Sequence, residues 1–316
     1  MTEQSPPEPP EDEPILTTAR ERPGQVDVEA LVQLLDADEG QARNESLMAL
    51  GHVADYDADL VVDYTDEFIA ALDDGFPVAE SSAAQVLSRI VGEYPEEVRP
   101  AIPQLVEMLD QIPPLTGYRA GRTLAPLLSE YPEDFVDEAD QLIDVVNDPQ
   151  DASVPTEEDY EQMDDEKRAE TEDRLRSRSE QARADVARTF GIREIAANSL
   201  VEVSEREPEA VAPRIEELVP ALFSEPPVAQ AATLDTIANV GQHDPDAVDP
   251  IVDDLIEVTQ TQVPSIRAHA VQAIGYSEAT AAIEPLRELA EDDDPELSDE
   301  FRELAAETAD YLENEA

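Results

Sequence analysis

Two apolar patterns repeat along this chain with a shared spacing of 37 residues. In the first pattern, a six-residue segment carries apolar side chains at positions one, two, four and five, with Thr259 as the exception. These segments begin at Leu31, Phe68, Leu105, Leu142, Leu218 and Leu255. Their starts are 37 residues apart except for one gap of 76, which is one period plus an insertion of 39 residues. Self-similarity at a fixed period indicates a repeat architecture.

The second pattern pairs a small residue with a large apolar residue four positions later. Its small members are Ser46, Ala83, Ala120, Ala196, Thr233 and Ala270, and a Leu or Ile follows each of them. Residues i and i+4 lie on one face of a helix, so the small residue lets two helices approach and the large one fills the space between layers. We therefore predict an all-α superhelix, a solenoid of about seven antiparallel helix pairs that bury a shared core by stacking.

The repeat pattern and the local composition divide the chain into four segments. Residues 1–25 are rich in Pro and Glu and are expected to form an extended, disordered tail. Residues 26–148 hold repeats 1 to 3 and the first helix of repeat 4. Residues 149–189 form the insertion, an acidic loop followed by a charged helix. Residues 190–316 hold the rest of repeat 4, repeats 5 to 7 and a C-terminal cap.

The charged helix of the insertion contains seven of the chain's 20 cations. Opposite charges four residues apart, as at Glu170 and Arg174, favour a helix there. Two interpretations stay open: a solvated helix held by ion pairs, or a basic docking arm on an otherwise anionic chain. The arm would present Arg174, Arg176, Arg178 and Arg183.

The acidic composition constrains the environment and the partners. The sequence holds 77 Asp and Glu against 20 Lys and Arg, for a net charge of -57, and Lys167 is its one lysine. This balance is typical of proteins adapted to molar intracellular salt, where the Debye length falls to about 3 Å and self-repulsion is screened. We interpret it as the signature of a halophilic archaeon, with an acidic mimic of nucleic acid as the alternative. The sign of the charge disfavours direct nucleic-acid binding.

Composition also disfavours most kinds of chemistry. The chain has no Cys, which excludes thiolate catalysis and cysteine-ligated metals. Its histidines, His52, His243 and His269, share no repeat register, and its ten glycines form no phosphate-binding loop. No apolar run approaches the ~18 to 20 residues that a bilayer requires, so we expect a soluble, cytoplasmic protein without membrane contact. We predict no catalytic residue, no metal site, no cofactor and no enzymatic activity.

One arginine register carries a family resemblance. In three repeats an arginine stands three residues before the small member of the second pattern, at Arg43, Arg193 and Arg267. In three repeats the predicted outer helix ends in an aspartate, at Asp36, Asp73 and Asp110. In this arrangement the chain resembles the HEAT and armadillo-like helical repeats over about residues 26–313, apart from the insertion. Glu80, Gly117 and Gln230 depart from the pattern because they replace the arginine. The resemblance implies that the second helix of each pair, here called the inner helix, lines a concave surface.

Acidic residues are distributed unevenly between the two helices of a pair. Of 24 predicted exposed positions on the outer helices 14 are acidic, but only four of 24 on the inner helices. The inner positions instead carry amides, guanidinium groups and one aromatic ring, which are typical of protein interfaces. The predicted partner-binding residues are Gln85, Arg89, Arg119, Arg122, Asn198, Asn239, Gln272 and Tyr276. The alternative is that inner helices are crowded and carry fewer charges whatever the function.

These observations favour a non-catalytic scaffold or adaptor. It would hold an acidic or polar segment of a protein partner along the concave inner-helix face, with or without help from the basic arm. The alternative from a different class is an enzyme built on the repeat fold, a lyase or a nucleic-acid repair activity that uses the same groove.

Overall fold

A computed structural model of the chain describes residues 15–111, 113–147, 165–224, 226–292, 294 and 297–315. Side chains of the helix that begins at Asp165 are described from Glu180 onward. The described residues contain helices and connecting turns and no strand. They divide into two compact units, Met1–Tyr131 and Pro132–Ala316. Each unit is built from helix pairs, as the repeat pattern predicts.

The first unit holds one leading helix and three helix pairs. Its α-helices are α1 (Ile15–Glu21), α2 (Val28–Gln33), α3 (Gly40–Tyr56), α4 (Thr65–Ala70), α5 (Pro77–Ile90), α6 (Pro95–Val98), α7 (Ile102–Glu107) and α8 (Pro114–Glu130). Short 3-10 turns end the outer helices α2, α4 and α7. The inner helices α3, α5 and α8 follow one another in a single layer, in which α5 packs against both α3 and α8. The leading helix α1 packs against α3 in the same layer.

The second unit holds four helix pairs. Its α-helices are α9 (Ala139–Asn147), α10 (Asp165–Arg206), α11 (Pro227–His243), α12 (Pro245–Val248), α13 (Val252–Val258), α14 (Pro264–Tyr276), α15 (Ile283–Glu291) and α16 (Asp299–Glu315). The inner helices are α10, α11, α14 and α16, and each packs against the next. A 3-10 helix, Ala212–Phe223, serves as the outer helix of the pair that ends in α11.

Both apolar patterns form the core, which confirms the predicted register. Every residue that starts a segment of the first pattern is fully buried, from Leu31 to Leu255. The small residues of the second pattern are at most 1% exposed, and the Leu or Ile that follows each of them is fully buried. Because these side chains come from successive pairs, no pair has a complete core without its neighbours, and stacking stabilises the fold.

The structure changes two predicted boundaries. The segment Ile15–Glu21, placed in the extended tail, is helical because it covers apolar surface on α3 and buries Thr18 and Ala19. Residues 1–14 lie outside the described residues. The charged helix of the insertion is continuous with the inner helix of repeat 4, and together they form the 42-residue α10. The acidic loop predicted before it lies outside the described residues.

Proline changes one outer helix more than a simple kink would. Pro213 and Pro220 lie in the 3-10 helix Ala212–Phe223, where each removes a backbone N–H donor. Arg214, next to the first proline, has the non-helical angles φ −117° and ψ 18°. A 3-10 conformation, in which residues i and i+3 are hydrogen-bonded, replaces the α-helix on the two sides of this kink.

The arginine register stabilises the connections between helices. Arg43 Nε and Nη2 donate to the two carboxylate oxygens of Asp74 at 2.6 and 2.7 Å, and its Nη1 donates to the Ala37 carbonyl at 2.7 Å. The hydrogen bonds to Asp74 raise the pKa of Arg43. Arg43 thus joins α3 to the turn that precedes α5. At the same register in the next pair, Glu80 accepts from the Gly75 N–H at 2.8 Å, and Gly75 has a positive φ of 80° that favours glycine.

Candidate functional site

A polar groove lies on the inner-helix layer of the first unit, between α5 and α8. Its volume is about 330 Å³. Residues four apart on α5 and on α8 point to the same side of their helices, which brings two short rows of side chains together. The lining residues are Asp55, Gln85, Ser88, Arg89, Leu115, Tyr118, Arg119 and Arg122. The structure thereby places four of the eight predicted partner-binding residues in one groove.

The arginines of this groove differ in how they are held. Arg89 Nε donates to the Asp55 carboxylate on α3, so this guanidinium also ties α5 to α3. Arg119 Nη1 donates to the Ser81 hydroxyl at 2.7 Å and to the Ser81 carbonyl at 3.2 Å. Arg122 is exposed and makes no hydrogen bond or ion pair to any described residue. Arg122 is therefore the guanidinium that is most available to a ligand.

The groove has the opposite charge balance to the chain as a whole. Acids outnumber cations 77 to 20 in the sequence, whereas the charged residues that line the groove are three arginines and one aspartate. A guanidinium binds a carboxylate through two parallel hydrogen bonds, and nearby charges of the same sign strengthen that attraction. Tyr118, 36% exposed, and the half-buried Leu115 add an apolar surface beside the arginines. The arrangement suits an anionic segment with a large apolar side chain.

The other predicted partner-binding residues lie in the second unit and do not form one groove. Gln272 and Tyr276 are exposed on α14, and Asn198 is half-buried on α10. Asn239 donates to the Ser204 hydroxyl at 3.0 Å, which joins α11 to α10. It lines a second groove, of about 630 Å³, together with Arg206 and His243 among others. Asn239 is thus engaged in packing between repeats as well as exposed to solvent.

The structure describes only part of the predicted basic arm. Arg183 is exposed on α10, and no described residue pairs with it. The side chains of Arg174, Arg176 and Arg178 lie outside the described residues. The two interpretations of this helix, a solvated surface or a docking arm, both stay predictions.

Sequence reasoning missed several residues of the first groove. Tyr118 occupies one of the predicted exposed inner positions, but it is not among the predicted partner-binding residues. Ser88 and Leu115 fall outside the predicted exposed positions, and the packing of α5 against α8 brings them to the groove. Asp55 comes from a third helix, α3. No local pattern in the sequence indicates that this carboxylate pairs with Arg89.

Hydrogen bonds between neighbouring inner helices were also missed. Ser82 Oγ donates to Asn44 Oδ1 at 2.8 Å, which joins α5 to α3. His269 Nδ1 and Asp235 Oδ1 are 2.6 Å apart, which joins α14 to α11. Each pair is separated by about one repeat in the sequence. Such pairs stabilise one register between successive repeats, because a shift of either helix leaves polar groups without partners.

The outer-helix layer of the second unit has one concentrated ion-pair cluster. Arg214 Nη2 donates to Asp144 at 2.5 Å and to Glu217 at 2.6 Å, and its Nη1 lies 3.2 Å from Asp140. These carboxylates raise the pKa of Arg214, and the guanidinium lowers the pKa of Glu217. The cluster joins α9 to the next outer helix. It is a structural contact and not a site, since the guanidinium is already surrounded by carboxylates.

The described residues contain neither a cluster of metal ligands nor a helix that could span a membrane. No group of three or more His, Asp or Glu side chains in these ranges is arranged to hold a metal ion. No helix in the described part of the chain is both long enough and apolar enough to cross a bilayer.

Comparison by sequence identifies one family. Residues 215–309 match the family model of HEAT repeats. No curated protein sequence matches the chain at a significant level. The family match covers the last three helix pairs of the second unit.

Comparison by structure covers more of the chain. An engineered protein has 18% identity and a TM-score of 0.51, with 80% of this chain and 97% of that chain covered. A chain from a structure of the interaction between cadherin and beta-catenin has 14% identity and a TM-score of 0.55, with 93% and 56% covered. A chain from the complex in which Kap95p binding induces the switch loops of RanGDP to adopt the GTP-bound conformation has 12% identity and a TM-score of 0.52, with 90% and 35% covered.

These similarities show the fold: the chain is an all-α helical repeat solenoid. At identities below 20% they carry no activity or partner across to it. The chain spans little more than half of the second structure and about a third of the third.

Proposed function

We propose that this protein is a non-catalytic scaffold that binds an anionic segment of a protein partner along its inner-helix face. The observation that carries the proposal is the groove between α5 and α8, where three arginines face one aspartate in a chain of net charge -57. Two of the structurally similar proteins come from protein–protein complexes, as their names state. HEAT and armadillo repeats are typically interaction scaffolds, which agrees with this use of the groove.

The chemistry of the groove favours an acidic partner over a basic one. A basic segment would bring cations close to the three guanidinium groups, which is unfavourable even at moderate salt. An acidic segment would pair with the exposed Arg122 in the field of the two neighbouring guanidinium groups, and Leu115 and Tyr118 would bury an apolar residue. Arginine and tyrosine are the residues most enriched among energetic hot spots of interfaces.

Charge reversal of Arg122 tests the proposal with little risk to the fold. Arg122 is exposed and unpaired among the described residues, so Arg122→Glu should leave the helical circular dichroism and the thermal midpoint nearly unchanged. Affinity capture from a native lysate at high salt, read by quantitative mass spectrometry, should show at least a tenfold loss of the retained partner. A charge-assisted hydrogen bond is worth about 1.5 to 3 kcal/mol, which is roughly tenfold or more in affinity.

The matched control is Arg20→Glu, which makes the same change of charge on the exposed end of α1. Equal capture by the wild type, Arg122→Glu and Arg20→Glu would refute the assignment of the groove. Arg89→Glu is less suitable, because the new carboxylate would face Asp55 and disturb the contact between α5 and α3.

We further propose that the acidic outer surface adapts the protein to molar salt in the cytoplasm of a halophilic archaeon. The acids at the predicted outer-helix positions are exposed, apart from the half-buried Asp254, so their mutual repulsion depends on the surrounding salt. Transfer from ~2 M to ~0.1 M KCl should reduce the helical circular dichroism signal. An unchanged spectrum after dialysis would remove this interpretation.

A further inference from the structure

We propose that the acidic segment before α1, residues 1–14, occupies the arginine groove between α5 and α8 and competes with the partner. The inference rests on the proposed function, because it takes the groove to be a site for anionic segments. It adds a regulatory occupant from the same chain.

Residues 1–14 and the groove carry complementary charges. Residues 1–14 contain five acids, no Lys or Arg, and five prolines. The groove offers Arg122 without a partner among the described residues, together with one face each of Arg89 and Arg119. The N-terminal segment is joined to the inner layer itself, through α1.

The distance that the chain can span from α1 determines which of these acids can contact the groove. Helix α1 packs against α3, α3 against α5, and α5 against α8. At about 8 to 10 Å between packed helices, the groove lies roughly 20 to 25 Å from α1. An extended chain spans at most ~3.3 to 3.6 Å per residue, so Glu8 reaches about 23 to 25 Å from Ile15 and Glu3 about 40 Å. Glu11 and Glu13 reach no more than ~15 Å.

Glu3 and Glu8 are therefore the acids that contact the groove, whereas Glu11 and Glu13 stay close to α1. This difference provides a matched pair of variants. Glu3→Gln with Glu8→Gln removes two charges that reach the groove, and Glu11→Gln with Glu13→Gln removes two charges that do not. Both double variants change the net charge of the chain equally.

The tether makes such a contact effective without high intrinsic affinity. A short linker gives a tethered segment an effective concentration in the millimolar range. A partner then binds only the fraction of molecules whose groove is empty, and its apparent affinity falls by that fraction. Proline also restricts the conformations of the unbound segment, which lowers the entropy lost on docking.

A distance measurement on the 316-residue chain tests the contact directly. The chain has no Cys, so Ser5→Cys and Ser129→Cys allow two spin labels to be placed without background. Ser129 is exposed on α8, two helical turns after Arg122. At the lowest KCl concentration that retains the helical circular dichroism, pulsed electron paramagnetic resonance should give a narrow distribution at short distances, since Ser129 lies only about 10.5 Å along α8 from Arg122.

The variants decide the outcome. Glu3→Gln with Glu8→Gln, or Arg122→Glu alone, should broaden the distribution and move it to longer distances, and Glu11→Gln with Glu13→Gln should leave it narrow. In the capture experiment, Glu3→Gln with Glu8→Gln should increase the retained partner several-fold. A broad distribution that is the same in the labelled parent and in all variants would overturn the inference.

The two proposals fail in different ways. If the distribution is narrow and depends on Glu3 and Glu8, but capture does not depend on Arg122, the segment docks and the proposed function is wrong. If capture depends on Arg122 and the distribution is broad in every variant, the groove binds the partner and residues 1–14 do not occupy it.

Discussion

Replacement of Leu87 by alanine measures how much the shared core contributes to stability. Leu87 is fully buried on α5, which packs against α3 on one side and α8 on the other. Leu→Ala removes three carbon atoms, and at ~0.8 kcal/mol per methylene the transfer contribution is about 2.4 kcal/mol. The neighbours Ala83 and Ala84 are fully buried and small, so they cannot fill the space that is left. The cavity brings the expected cost to about 3 to 4 kcal/mol.

The assay is urea unfolding in molar KCl followed by circular dichroism, with the slope of the transition compared between variants. The control is Leu60→Ala in the same unit, because Leu60 is 41% exposed and its truncation should cost less than about 1 kcal/mol. If both variants shift the midpoint equally, the second apolar pattern does not form the seam between repeats and the argument for the register is refuted. A changed slope for Leu87→Ala would instead mean that the two-state treatment fails.

Three further predictions follow from individual contacts. Arg214 lowers the pKa of Glu217, so their ion pair stabilises the fold at pH values above the unfolded pKa of about 4.3. This contribution is lost as pH falls through the folded pKa, and Arg214→Gln should remove the acid-side dependence of the melting temperature that it causes. Asp59 raises the pKa of Tyr94 to about 12, so the hydrogen bond between them stabilises the fold at pH values below the unfolded pKa of ~10. This contribution is lost as pH rises through the folded pKa, and in an absorbance titration Asp59→Asn should return the pKa of Tyr94 toward ~10. A Cβ at Gly241 would lie 2.4 Å from Ser277 Oγ. Gly241→Ala should therefore destabilise the second unit by ~1 to 3 kcal/mol in thermal unfolding. Ser277→Gly in the same chain should restore part of that lost stability. Additive effects of those two substitutions would contradict the close approach.

The candidate site was only partly visible in the sequence. Gln85, Arg89, Arg119 and Arg122 stand at predicted inner positions because the period places them there, and the structure brings them to one groove. Two features of the groove depend on how three helices pack together. Arg89 pairs with Asp55, and Arg122 is exposed without a partner among the described residues. The equivalent positions of the second unit follow the same period, yet they form no comparable group of arginines.

The amino-acid sequence alone determined the all-α fold class, the period, the buried positions and the excess of acid on the outer helices. These properties are local or repeat at a fixed interval, since a helical face depends on residues three and four apart. Only the tertiary structure decided which polar side chains meet. The pairing of Arg43 with Asp74, the Arg214 cluster and the groove itself join residues that are far apart in sequence, and each depends on how adjacent helices pack.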